Sequence, residues 1–175
     1  MVKWLKRIAK NYIGENDYHN AVKSVFKWRR KIKASHSILR YFYIRKYTKI
    51  CNQYGSFIPY STQIGENVIF PHGLCGVFIS AGAIIGNNCT IFHQVTIGSN
   101  TLKDSSGYGA PVIGNNVYFG AGCKVIGNVH VGNNVRIGAN AVVFFDVPDN
   151  ATVVTEKPRV LLHEEVRTNG FVEYT

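Results

Sequence analysis

The sequence predicts a mainly β fold, a parallel β-helix of stacked triangular coils preceded by a short, basic α-helical N-terminal segment. Three observations carry this reading. A large apolar residue recurs every six positions from residue 58 onward, glycine often follows it directly, and Asn-rich corners punctuate the series. An amphipathic helix would repeat at 3.6 residues and a half-buried strand at two, so neither produces this period. A short strand followed by a corner does, with the apolar residue turned inward each time. Three such segments close one coil, and successive coils stack as parallel strands.

The first series is Ile58, Ile64 and Phe70, and the second is Ile79, Ile85, Ile91 and Ile97. The third runs through Ile113, Phe119, Val125, Val131, Ile137 and Val143. Four positions after the apolar residue stands a small or β-branched one, among them Val68, Ala83, Cys89, Val95, Val117, Cys123, Val129, Val135 and Ala141. The corners Gly86-Asn87-Asn88, Gly114-Asn115-Asn116 and Gly132-Asn133-Asn134 supply residues that tolerate left-handed φ/ψ. Two interruptions break the period. Phe70 to Ile79 carries three extra residues, and Ile97 to Ile113 leaves room for a loop over 99–111. A stacked helix extrudes such loops at its corners without disturbing its core. The division is therefore a basic, partly helical segment at 1–55, a β-helix at 56–148 and a tail at 149–175.

Upstream, residues 19–31 and 35–50 read as helices. Ile38, Leu39, Phe42 and Tyr43 mark an apolar face at i, i+3 and i+4 spacing, and Gly55 suits the end of that segment. Pro158 rules out one continuous helix through the tail.

Composition narrows the class further. Apolar residues make up 46% of the chain and charged ones 17%, which suits a packed core rather than disorder. The net charge of +10 belongs to the N-terminal segment: residues 1–55 hold 14 bases against two acids, and the remainder holds 6 bases against 8 acids. Such a segment reads first as a solvated helical face. It also suits an anionic membrane surface, nucleic acid or an acidic polymer, although no recognised nucleic-acid-binding motif accompanies it. No apolar run approaches the roughly 18 residues of a membrane span. The N-terminus lacks the h-region of a signal peptide, so the expected location is cytoplasmic, with the inner face of the membrane as a peripheral site. Cys51, Cys75, Cys89 and Cys123 form no C-x-x-C pair and read as free structural thiols.

His72 and His93 each stand two positions after a repeat residue, Phe70 and Ile91. Their separation equals three hexads plus the three-residue insertion, so they should stack on adjacent coils at one corner, about 4.8 Å apart along the axis. A histidine pair flanked by two extruded loops suits base chemistry near neutral pH. His130 adjoins no insertion and reads as a surface residue.

The hexad array, PHGLCGVFIS, IFHQVTIGS and GAGCKVIGNVHVGNNVRIGANAVVFFDVP resemble the hexapeptide-repeat acyltransferases, and within them the serine acetyltransferase branch and its relatives that acetylate capsular or exopolysaccharide sugars. The resemblance covers roughly 55–160. It implies a left-handed β-helix, a homotrimer, and acetyl-CoA as co-substrate without a metal. It further implies that His72 is the general base, taking the proton from an acceptor hydroxyl that attacks the thioester directly, with no covalent enzyme intermediate. Coenzyme A would lie between neighbouring subunits, its pantetheine arm along Gly120, Ala121, Gly138 and Ala139, with Lys157 and Arg159 at its phosphates.

Three departures from that branch shape the expected acceptor. Pro71 stands where serine acetyltransferases carry an Asp before the base, and Gly109-Ala110-Pro111 where they carry a second His. Phe57 stands in the position of the acid that pairs with the base, which leaves Glu66 or a backbone carbonyl as partners for His72. The first two losses remove groups that meet an amino acid's charged ends, so the sequence points to a sugar hydroxyl of a surface polysaccharide or its precursor. Serine O-acetylation is the alternative, and a non-catalytic β-helix binding module a weaker one. A metal-dependent β-helix lyase of the carbonic anhydrase type lacks its local ligand pair, because position 98 is Gly and position 88 is Asn.

Overall fold

A computed structural model describes residues 15–36 and 38–164; the parts of the basic segment and of the tail beyond these fall outside the described residues. Among the described residues, twelve short strands follow two helices. The strands form three parallel four-stranded sheets, ordered β1-β3-β6-β9, β12-β10-β7-β4 and β11-β8-β5-β2. These are the three faces of a left-handed β-helical prism: the hexad period predicts the stacked coils, and the family resemblance implies their hand. On them lie β1 (Gln63–Ile64), β2 (Phe78–Ile79), β3 (Ile84–Ile85), β4 (Thr90–Ile91), β5 (Thr96–Gly98), β6 (Val112–Ile113), β7 (Tyr118–Phe119), β8 (Lys124–Ile126), β9 (His130–Val131), β10 (Arg136–Ile137), β11 (Val142–Val143) and β12 (Thr152–Val153). The pairing of β12 with β10 carries the prism past residue 148 to Val153.

Each hexad's apolar residue points inward. Ile79, Ile85, Ile91, Ile97, Ile113, Phe119, Val125, Val131, Ile137 and Val143 are all buried, and the small residues between them fill the corners. Burying one such side chain contributes about 1.5–3 kcal/mol, so the column as a whole drives folding. Cys89 and Cys123 are buried in these small positions, and burial pushes both thiols up, Cys123 to about 12. They act there as small apolar residues.

The corners explain why the coils stay in register. Asn67, Asn88, Asn116, Asn134 and Asn150 all adopt left-handed φ between 54° and 59°. Their side chains bond from coil to coil, Asn67 Nδ2 to Asn88 Oδ1 at 3.1 Å and Asn116 Nδ2 to Asn134 Oδ1 at 2.9 Å. The preceding column caps backbone donors: Oδ1 of Asn87, Asn115 and Asn133 each accept the N–H of a residue one coil above, at 2.8 Å. Successive coils there lie 21, 28 and 18 residues apart in sequence, which is the eighteen-residue coil with and without the two insertions. The second insertion folds back on itself, with Asn100 and Gly109 exchanging backbone hydrogen bonds of 2.9 and 3.0 Å at its base.

The helices α1 (Glu15–Ala34) and α2 (Ile38–Gln53) cover the open end of the first coil. Val25, Ile32, Tyr47 and Cys51 join the same core as Ile58 and Phe70, and the Phe26 ring packs 6.2 Å from that of Phe70. One polar clamp fixes the cap. The buried Arg29 guanidinium donates to Pro59 O at 2.7 Å, to Thr62 O and to the Tyr47 hydroxyl, which itself donates to Ile58 O. This clamp sets the rotation of α2 and corrects the expected apolar face. Tyr47 and Cys51 point inward, whereas Ile38, Leu39 and Phe42 are 85%, 60% and 50% exposed. Only Tyr43 of that predicted face is half-buried, stacked on Trp28 at 5.5 Å. Gly55, at φ 55°, takes the left-handed turn after α2, in keeping with the sequence.

Replacing Arg29 by Leu leaves the Pro59 and Thr62 carbonyls without their donor in a buried site. It should destabilise the protein by about 3 kcal/mol, measured by urea denaturation. An unchanged midpoint would show that the clamp adds nothing to the cap.

Candidate active site

The prism corner that follows β4 carries the histidine pair. His72 and His93 lie on adjacent coils, with ring centroids 4.9 Å apart and Nδ1 atoms 2.8 Å apart. Local structure explains how the first ring arrives there. Residues 71–76 form a run of turns, Gly73 and Gly76 adopt φ of 69° and 63°, and the extra residues loop out before the chain rejoins the prism at Val77. Gln94, beside His93, also adopts a left-handed φ of 58°, and its N–H donates to Cys75 O at 2.8 Å. The insertion is thus tied to the coil beneath it. Phe92 supports the upper ring edge-on, its centroid 4.9 Å from that of His72, and Tyr118 packs 5.2 Å from Phe92 on the next coil.

A contact between two Nδ1 atoms needs one donor and one acceptor. One ring therefore carries its proton on Nδ1 and has a bare Nε2, and its neighbour carries the proton on Nε2. With His72 as the donor, its Nε2 is the lone-pair nitrogen that base chemistry requires, on an exposed ring. This identifies the partner of His72 and corrects the expectation of Glu66 or a backbone carbonyl. Glu66 belongs to the asparagine corner, where its N–H donates to Asn87 Oδ1 and its carbonyl accepts from Asn88 N–H. Phe57, 58% exposed, pairs through its backbone with Phe78 and offers no acid. A histidine partner was invisible as such in the sequence, although equal hexad positions placed the two rings together.

The same corner continues below the pair. Gly122 N–H donates to His93 O at 3.0 Å and Asn140 N–H to Ala121 O at 2.9 Å, so His93, Ala121 and Ala139 stack on successive coils. Beside them run Phe92, Gly120 and Gly138. A Cβ on Gly120 would meet Ala139 N at 2.6 Å, so only glycine fits there. Bulky rings at the top of the corner thus give way to glycine and alanine on the coils below. Lys157 and Arg159 are exposed beyond β12 in a stretch without regular structure. His130 faces outward from β9, with Nδ1 3.9 Å from Asp146 Oδ1. Among the described residues no group of three or more His, Cys, Asp or Glu side chains is placed to hold a metal ion.

Comparison with known proteins gives three findings. The model of the bacterial transferase hexapeptide (six repeats) matches residues 110–144. A serine acetyltransferase of Synechococcus elongatus is 43% identical over 107 residues, which are 61% of this chain and 43% of that protein. Among solved structures, serine acetyltransferase isoform 3 of Entamoeba histolytica in complex with cysteine aligns over 80% of this chain and 50% of its own, at 32% identity and TM-score 0.65. The Neisseria gonorrhoeae serine acetyltransferase in complex with serine aligns over 81% and 56%, at 29% identity and TM-score 0.64. The chain spans about half the length of the relatives it matches. These likenesses are to serine acetyltransferases, and they overturn the expected sugar acceptor and its place in polysaccharide biosynthesis. The physical reason is that Pro71 and the stretch 109–111 record the loss of particular side chains at two places, which does not determine what other elements bring to the pocket.

The tautomers provide a direct check on the site. Nitrogen-15 NMR of the imidazoles should show His72 protonated on Nδ1, a form that free histidine disfavours, and His93→Ala should return it to the Nε2–H form. The reverse assignment in the wild type would make His93 the ring with the bare Nε2.

Proposed function

We propose that this chain is an acetyl-CoA-dependent O-acetyltransferase acting on the hydroxyl of L-serine, with His72 as general base. The observation that carries the reading is the histidine pair at the head of a line of small residues, in a chain similar to serine acetyltransferases. His72 Nε2 takes the proton of the serine hydroxyl as its oxygen attacks the thioester carbonyl. The carbon–oxygen bond forms, the carbon–sulfur bond breaks, and the proton passes to the departing thiolate, giving O-acetylserine and free coenzyme A. His93 holds the His72 tautomer and stabilises the imidazolium that forms, the role a carboxylate has in an acid-paired base. Backbone N–H groups stabilise the oxyanion.

In this reading the small residues Gly120, Ala121, Gly138 and Ala139 face the pantetheine arm, and a neighbouring subunit of a homotrimer supplies the opposite wall. Lys157 and Arg159 extend from the tail toward the phosphates. Thiol release with L-serine and acetyl-CoA tests the reaction. His72→Ala should lower kcat by about 10²–10⁴-fold, and Ala139→Trp, an exposed substitution, should raise the KM for acetyl-CoA. Absence of turnover by folded wild-type protein sinks the reading.

A second surface concerns location. No helix among the described residues is long and apolar enough to cross a membrane. The outer face of α2, however, exposes Ile38, Leu39, Tyr41 and Phe42 ahead of Arg45, Lys46 and Lys49, and the helix contains no acid. Exposed apolar residues backed by cations fit the interface of an anionic bilayer. The protein should sediment with vesicles containing phosphatidylserine and not with pure phosphatidylcholine, and Phe42→Asp should abolish the association. Equal behaviour with both vesicles would remove the membrane from the account.

A further inference from the structure

The absence of a histidine from the stretch 109–111 poses a question for any amino-acid acceptor, namely what meets its carboxylate. A groove among the described residues adjoins the turn that leads into His72. This open groove of about 480 Å³ lies between α1 and the first coil, lined by His19, Val22, Lys23, Val68, Ile69, Phe70 and Pro71. Pro71 precedes His72 directly, so the groove ends at the residue that leads into the base. Its walls are apolar on the prism side. Among the described residues its polar lining consists of Lys23 and His19, both exposed and both on α1, and no described acid lines it.

The helix is held in this position by the same contacts that cap the prism. Phe26 packs on Phe70 one turn beyond Lys23, and Arg29 is clamped to the carbonyls of Pro59 and Thr62. The positions His19 and Lys23 are four residues apart and therefore share the face of α1 that overhangs Ile69 and Pro71. A cation above an apolar floor, with no anion beside it among the described residues, selects a negatively charged group. The chain thus carries on its helix a positive charge that residues 109–111 do not provide.

From this geometry we infer that the groove is the acceptor's carboxylate subsite, with Lys23 binding the carboxylate and His19 flanking it while the hydroxyl reaches His72. The inference rests on the serine reading above and names a residue that positions the acceptor rather than one that performs the chemistry. Its mark is an effect on acceptor binding that depends on the acceptor's charge.

The experiment is steady-state kinetics of wild type, Lys23→Met and Lys23→Arg, with L-serine and with L-serinamide, which lacks the carboxylate. Lys23→Met should raise the KM for L-serine about tenfold, the cost of removing one hydrogen bond to a charged group, with kcat and the KM for acetyl-CoA little changed. Lys23→Arg should recover most of the loss, and with L-serinamide wild type and Lys23→Met should behave alike. An unchanged KM for L-serine in Lys23→Met, or an equal loss with both acceptors, overturns the subsite while leaving the serine reading intact. Wild type that acetylates neither acceptor overturns both, and the two failures are thereby told apart.

Discussion

The structure depends above all on the stacking of identical corners. Asparagine in left-handed conformation turns the chain at the same point of each coil, and its neighbour's carboxamide caps a backbone N–H of the coil above. Neither bond is strong alone, since an exposed hydrogen bond contributes about 1 kcal/mol. Their effect comes from repetition. Each corner fixes the height and rotation of the next, so residues many positions apart in sequence fall on one line. The apolar column inside the prism supplies the driving force, and the corners supply the register.

The candidate site is a product of that register. His72, His93, Ala121 and Ala139 occupy equivalent positions of four coils, so one geometric rule lines up both the two imidazoles and the small residues beneath them. Chemistry then requires only that the side chains change along the line, from imidazole to methyl. Two departures from strict repetition make room for function. The short insertion after Phe70 lifts His72 at the corner, and the longer one leaves the prism as a closed hairpin loop at Asn100 and Gly109.

The helical cap plays a different part. A prism of stacked coils has an open end, and exposed strand edges there would invite association. Here α1 and α2 close it with a small apolar core and the Arg29 clamp. A buried guanidinium without a carboxylate is costly unless carbonyls and hydroxyls satisfy it, and three backbone or hydroxyl oxygens do so. The clamp places one face of α1 over the approach to His72 and turns the aromatic, basic face of α2 outward.

Period six, the glycines after the apolar residues and the paired asparagines were sufficient to read the prism, its inward residues and the vertical alignment of His72 with His93. Those features are local and repeated, so each copy reports on the others. Three things were legible only once the chain was folded. The rotation of α2 followed from the long-range bonds of Arg29, which a periodicity in Ile38, Leu39, Phe42 and Tyr43 does not encode. The partner of His72 was a ring on the next coil rather than an acid, because imidazole tautomers answer to distances of a few tenths of an ångström. The groove with Lys23 depended on a helix crossing a coil some fifty residues away in sequence. The sequence by itself determined the repeating architecture, because repetition makes every element its own neighbour. What lies between unlike elements, the cap against the coil and the pocket between them, was decided by tertiary contacts that occur once.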